Sequence, residues 1–299
     1  MTAPGRLHVA MLLLAGVLFA ACEDSFIDPY ANDERYYTLY GYLDESKNFQ
    51  PGTLHAIRVI PITRSSQRIL EPSDPNAQID AAVYSIDLET GQEVRWGYSL
   101  EQLADGSYGH VFQTRFFVKA ATSYRLEVRR SDGMVASAET HVPATSGIFP
   151  VIDEPALDAT DGSLYQDIRL PDVRSLWDVD IVYQLGDRTC FAGSPNRVSY
   201  GRVGVSTDEG WRIRINLTDD VRSLEARLGS TDWRVCSIGI RTRIMDNQWT
   251  PPGDVFDPET LALPASLSNV EHGYGYFGSL GLFQHDWLLS EANSNLLGH

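Results

Sequence analysis

Lysine is almost absent from this 299-residue chain: Lys47 and Lys119 are the only two, and the other 22 of its 24 basic residues (24 − 2) are arginines. Against them stand 40 Asp and Glu, for a formal charge of −16. So little positive charge argues against a nucleic-acid binder, which needs a basic patch to release counterions. It argues equally against a polybasic membrane-binding surface. The apolar run from Val9 to Ala21 has 13 residues, whereas a spanning helix needs about 20. The seven histidines are scattered, no two of them three or four apart, and H-E-x-x-H does not occur. A zinc hydrolase therefore has no local support. No G-x-S-x-G nucleophile elbow occurs either. A glycosidase needs two carboxylates about 5–10 Å apart in a cleft. The close pairs Asp178/Asp180, Asp219/Asp220 and Asp158/Asp161 are what an acidic surface supplies by chance. No cofactor is expected; Asp158–Ser163 reads as a plain turn in preference to an oxygen-rich calcium loop, since it does not match the EF-hand pattern.

What is present begins at the N-terminus. Arg6, the 13-residue apolar core and Cys22 have the layout of a signal peptide. Leu18-Phe19-Ala20-Ala21-Cys22 resembles the lipobox of bacterial lipoproteins, with Phe19 where Leu is usual. Ordinary secretion with a cut after Ala21 is disfavoured, because it would place bulky Phe19 three residues before the cut. The resemblance implies a signal peptide over 1–21 and a lipidated Cys22. Loss of Arg6 would leave a mature charge of −17 (−16 − 1). Two or more acyl chains give stable anchoring without a membrane helix. Residues 22–34 are acidic and polar and read as a tether. In lipoproteins of the Bacteroidota type, acids such as Glu23 and Asp24 just after the Cys accompany export to the outer-membrane surface. The expected location is the outer membrane, lipid-anchored, with the face left open. In that oxidising setting Cys190 and Cys236 form an even pair, and a structural disulfide is favoured over two free buried thiols.

The dominant sequence period is two, that of strands. Strands are expected over 36–44, 54–62 and 81–99 (turning at Thr90-Gly91), then after the Asp105-Gly106 turn, and in a hairpin over 122–143 turning at Asp132-Gly133. Low periodicity over 142–163 places a domain junction near 145–150. Beyond it, Val179, Ile181, Tyr183 and Leu185 share one strand face, and 211–217 and 234–244 also alternate. Residues 218–229 read as a helix with Thr218 as N-cap, Val221, Leu224 and Leu228 as its apolar stripe, and Gly229 as its stop. Residues 286–297 suggest a short C-terminal helix. The expected fold is mainly β: an immunoglobulin-like β-sandwich over 35–147, followed by a β-rich domain over 148–299 with one or two short helices.

Gly273-Tyr274-Gly275-Tyr276-Phe277-Gly278 matches the dinucleotide-binding G-x-G-x-x-G. Only 21 residues follow Gly278, too few for the βαβ unit that the motif serves. Gly273, Gly275 and Gly278 instead read as a structural glycine-rich turn, or as a close approach to another strand. Residues 254–279 resemble the closing signature of an uncharacterised family of Bacteroidota lipoproteins, in which Asn-Ile/Val precedes a Gly-rich aromatic turn. Tyr40–Leu43, Gly106–Gly109, Ser123–Val128, Asp132-Gly133 and His141–Pro143 agree with that family in order. The resemblance implies an accessory lipoprotein associated with TonB-dependent receptors, with membrane lipid and an outer-membrane β-barrel as partners. It supplies no catalytic residues and no ligand. The expected role is non-catalytic; a surface glycan hydrolase with paired carboxylates and a structural or adhesive surface protein are the alternatives. Trp249, Trp96 and Tyr40 are the candidate contact aromatics.

Overall fold

The computed structural model describes residues 35–62, 68–187, 190, 193–201, 203–246, 268–290, 293 and 297. They belong to one compact unit, Glu34–His299. Its spine is an eight-stranded sheet in the order β13 (Ser194–Gly201), β12 (Leu176–Gly186), β16 (Arg234–Met245), β18 (Gly273–Trp287), β1 (Tyr37–Asp44), β2 (His55–Pro61), β6 (Tyr108–Thr114) and β5 (Gly97–Gln102). A second sheet runs β17 (Val270–Glu271), β8 (Val135–His141), β7 (Ser123–Arg129), β3 (Ala82–Asp87), β4 (Glu93–Arg95). A third runs β10 (Ala156–Leu157), β11 (Leu164–Pro171), β15 (Gly210–Asn216), β14 (Val205–Thr207), with β9 (Val151–Ile152) also on β11.

Alternation decides which faces close. Tyr124, Leu126 and Val128 of β7 join Leu39, Val59, Phe112 and Ala136 in one core. Val179, Ile181, Tyr183 and Leu185 of β12 join Ile168, Ile213 and Ile240 in another. The fold is mainly β, and its first half is an immunoglobulin-like β-sandwich. Apart from Val270 and Phe277, which belong to the first core, the two cores fall on either side of the expected junction, but the long sheet does not stop there. Strand β18 lies between β1 and β16, parallel to the first and antiparallel to the second. Its Phe277 belongs to the first core and its Phe283 to the second. The end of the chain thus completes the first sandwich, and 35–147 does not close by itself.

The glycine-rich stretch lies inside β18, in place of the expected turn. Gly273 pairs with Tyr37, Gly275 with Leu39 and Gly278 with Tyr42. A Cβ on Gly275 would sit 2.1 Å from the Leu39 carbonyl oxygen, at a backbone φ of +90°. Only glycine accepts both constraints. The turn itself falls at His272, φ 52°. Asn269 holds the strand from the side: its amide donates to the Phe277 carbonyl at 2.7 Å, and the Phe277 N–H donates back to its Oδ1 at 3.0 Å. Phe277 is fully buried, a contribution of about 2–3 kcal/mol.

The helix α1 (Leu217–Leu228) is capped by Asn216, whose side chain accepts from the Asp219 N–H. The expected cap, Thr218, lies one residue inside and accepts from the Leu164 N–H at 2.9 Å. Gly229 ends the helix in the left-handed region as expected. Leu217, Val221 and Leu224 form the buried stripe, while Leu228 is exposed. At the C-terminus Asp286 and Trp287 still belong to β18, so the expected helix does not begin at 286, while Asn293 is helical. Most of 288–297 beyond Ser290 lies outside the described residues.

Candidate functional site

Among the described residues, one built surface feature is the loop end of the first sandwich, where β1, β3 and β6 finish and β2 and β7 begin. After β1 the chain forms a 3-10 turn, Glu45–Phe49, capped by Asp44, whose Oδ1 accepts from the Ser46 N–H at 2.9 Å. A turn through Gly52 (φ +84°) then leads into His55. On the other side, residues 115–122 carry the chain from β6 across to β7. Asn48 ties the two loops together. Its amide donates to the Val118 carbonyl at 2.6 Å, and the Val118 N–H donates to its Oδ1 at 2.9 Å.

Phe116 points inward against His55, Trp96 and Tyr124, with ring centroids 5.2, 6.3 and 5.8 Å away. Its neighbour Phe117 is 62% exposed, and Phe49 in the facing loop is 65% exposed. Two depressions share Phe116 and Phe117 as walls. One, about 340 Å³, is lined by residues 47–53, His55 and 115–117. The other, about 160 Å³, is lined by Ser85, Asp87, Gln92, Val94, Lys119 and Tyr124 with Phe116 and Phe117.

The electrostatics of the two differ. In the smaller depression Lys119 Nζ sits 2.8 Å from Asp87 Oδ2, so the charges cancel. That hydrogen bond holds Asp87 below and Lys119 above their usual values. In the larger one the charged lining residues are Lys47 and Arg115, both cationic. Lys47 Nζ donates to the Leu54 carbonyl at 3.0 Å; burial holds its pKa below the usual lysine value. Arg115 is exposed. Glu45, next in the chain to Asp44, turns away and accepts from the Leu282 N–H at 2.8 Å. His55 forms the floor, 2% exposed. Burial and then the Lys47 charge push its pKa down to about 4, so its ring is neutral near pH 7.

The residues singled out from sequence have separate fates. Cys190 and Cys236 form a disulfide, with Cα atoms 5.6 Å apart. Cys22 and Trp249 lie outside the described residues. Trp96 is 3% exposed and is core, which removes it as a contact aromatic. It stands where the chain crosses from β4 in one sheet to β5 in the other, and so it closes the edge of the sandwich. Tyr40 lies half-buried on the other face of the long sheet, edge-on to Tyr276 at 5.9 Å. The glycines lie in β18, away from any helix start.

The carboxylate pairs are engaged separately. Asp178 binds Arg243, which also reaches Asp44 at 3.0 Å. Asp180 is 3.3 Å from Arg197 and Asp219 is 3.1 Å from Arg222. Asp220 is buried, accepting from the Tyr183 and Tyr200 hydroxyls. Asp158 pairs with Arg214, and Asp161 accepts from the Ser163 N–H and the Tyr165 hydroxyl. Residues 158–163 form the turn between β10 and β11. Among the described residues no group of three or more His, Cys, Asp or Glu side chains converges on a metal position.

No family model matches the chain, and no curated protein matches it. Among solved structures, it is similar to the chicken CNTN1 FN1–FN3 domains at 9% identity and a TM-score of 0.25, over 86% of this chain and 66% of that one. A tetra-tandem repeat in the extending region of a large adhesion protein aligns at 10% and 0.21, over 85% and 49%. Bovine butyrophilin aligns at 12% and 0.18, over 69% and 91%. The chain thus spans less than two thirds of the first two. At such TM-scores the three carry no argument about activity or partners, and the sandwich stands on its own sheets.

Proposed function

We propose that this chain is a lipid-anchored outer-membrane protein that acts as a non-catalytic binding component of an envelope assembly, and that it binds through the loop end of its first sandwich. The observation that carries the reading is the pair of exposed phenylalanines, Phe49 and Phe117, on two loops tied together by Asn48. Exposed aromatics on a rigid frame are the residues from which contact hot spots are made. The address rests on the lipobox-like Leu18–Cys22. Strand β1 supports the orientation. The chain enters the body at Arg35 and reaches the loop end at Asp44, seven residue steps beyond Tyr37, or roughly 23 Å. The loop end thus lies at the far end of β1 from the residue at which the described chain begins. The resemblance to accessory lipoproteins makes a TonB-dependent β-barrel receptor the expected partner.

The experiment is affinity capture of the lipidated chain from membranes, beside a Phe49→Ser/Phe117→Ser variant. A β-barrel receptor that co-purifies with the wild type and is lost with the variant is the expected result. Equal recovery on both refutes the loop end as the binding face, and its absence from both refutes the accessory role. A Cys22→Ser chain that stays membrane-bound refutes the anchor.

A further inference from the structure

The loop end also bears on the chemistry of the partner, an inference that rests on the binding role just proposed. The chain has 40 acids and 24 bases, yet the charged residues lining the 340 Å³ depression are Lys47 and Arg115, with no carboxylate among them. The nearby acids are committed elsewhere: Asp44 to Arg243 and the Ser46 N–H, Glu45 to the Leu282 N–H, Asp87 to Lys119. Of the neutral polar side chains that line it, Gln50 and Thr53 face the depression alongside two that are in use. Asn48 is spent on Val118, and His55 Nδ1 accepts from the Asp44 N–H. The depression thus offers two cationic donors, the neutral Gln50 and Thr53, and apolar walls of Phe49, Pro51, Phe116 and Phe117.

The depression is open toward exposed Phe49 and Phe117. A small-molecule site encloses most of its ligand; this one presents a shallow, aromatic-rimmed face, the form of a peptide or protein contact. A surface of positive sign on a strongly negative molecule selects its partner by sign. It attracts a segment of opposite charge, while the rest of the body repels acidic chains that do not dock there. We infer that the depression between residues 47–55 and 115–117 docks an acidic, aromatic-containing polypeptide segment of the partner, its carboxylates on Arg115 and Lys47 and its apolar side chains against Phe49 and Phe117.

The test uses the full chain in detergent and two synthetic peptides, (Glu-Phe)5 and (Gln-Phe)5, with binding read by fluorescence anisotropy. The acidic peptide is expected to bind, weakening as salt is raised, and the neutral one to bind about tenfold less tightly. Arg115→Glu should weaken the acidic peptide about tenfold and Arg115→Lys much less; Phe117→Ser should weaken both peptides. Circular dichroism keeps folding separate from binding. Equal affinity for the two peptides, binding of neither, or no effect of Arg115→Glu overturns the assignment. Arg115-dependent binding of polygalacturonate that exceeds that of the peptide also overturns it, in favour of an acidic glycan. If membrane capture still depends on Phe49 and Phe117 while the acidic peptide fails, the binding face survives and only its charge selectivity falls. If capture fails as well, both fall.

Discussion

His55 gives the loop end a sharp pH signature. Its ring is 2% exposed, packed on Phe116 at 5.2 Å, with Nδ1 accepting a long 3.5 Å hydrogen bond from the Asp44 N–H. Protonation would desolvate a charge, put it beside Lys47 and remove that acceptor. The pKa falls from 6.5 to about 4 on folding. A group depressed in the folded state adds stability above its unfolded pKa and loses it as pH falls toward the folded one. With those two values the loss between pH 7 and pH 4 is about 3 kcal/mol. Two other sets of groups separate from it. Asp87, Asp105, Asp132 and Asp161 are depressed carboxylates, so their losses fall below about pH 4. Asp220 and Glu45 are raised by burial, so their effect has the opposite sign, with stability falling as pH rises. His110, also lowered by burial, has the same sign as His55, so the variant difference is the decisive quantity. Urea unfolding of the wild type and His55→Gln at pH 7, 5.5 and 4 isolates it, because shared groups cancel. The wild type should lose about 3 kcal/mol more than the variant across that range. Parallel curves would refute the neutral buried histidine and the account of the depression's floor built on it.

Three further outcomes follow from the frame. Arg243→Met strands Asp44, which is 2% exposed; since Arg243 and Asp178 are each 25% exposed, the cost should be about 2–3 kcal/mol, below that of a fully buried broken pair. Adding Asp44→Asn and Asp178→Asn should recover much of it in the same urea assay, and no recovery would mean that packing was lost instead of charge balance. Reducing Cys190–Cys236, 46 residues apart, should lower stability by about 4 kcal/mol on the chain-entropy model, checked by melting with and without reductant. Gly275→Ala should cost more than about 2 kcal/mol from positive φ and the clash with Leu39; an unchanged melting temperature would contradict the parallel pairing of β1 and β18.

Much of the fold was legible because burial on one face writes a period of two into the chain. The hairpin over 122–143 and the buried faces of β12 and β15 follow from alternation alone. The merger of the two halves was not legible. A strand that serves two cores looks like any other strand, and no local signal says that the last strand runs parallel beside the first. Trp96 illustrates the same limit. It sits between Arg95 and Gly97, a stretch that does not assign it to an apolar face, so it stands in the sequence as a candidate contact. Only the crossing from β4 to β5 turns it inward.

The candidate site left one trace that a reading of the sequence could have caught. Lys47 and Lys119, the chain's only lysines, fall in the two loops that Asn48 joins, each within two or three residues of an exposed phenylalanine. Seen as composition, two lysines are a shortage that speaks only of an acidic surface. Seen by position, they mark one end of one sandwich. Arginine could not have revealed this, because among the described residues many arginines lie on β-strands as partners for acids, as with Arg125–Glu139 and Arg212–Asp167. Such pairs, exposed on a sheet, contribute little to stability but neutralise acid locally. Arg115 differs by position: it follows β6 directly, in a loop (115–122) that contains no Asp or Glu, so its charge is left for a partner. Charge complementarity at the loop end is therefore a matter of where the few uncompensated cations lie. Net charge, at −16, points to the opposite sign of partner.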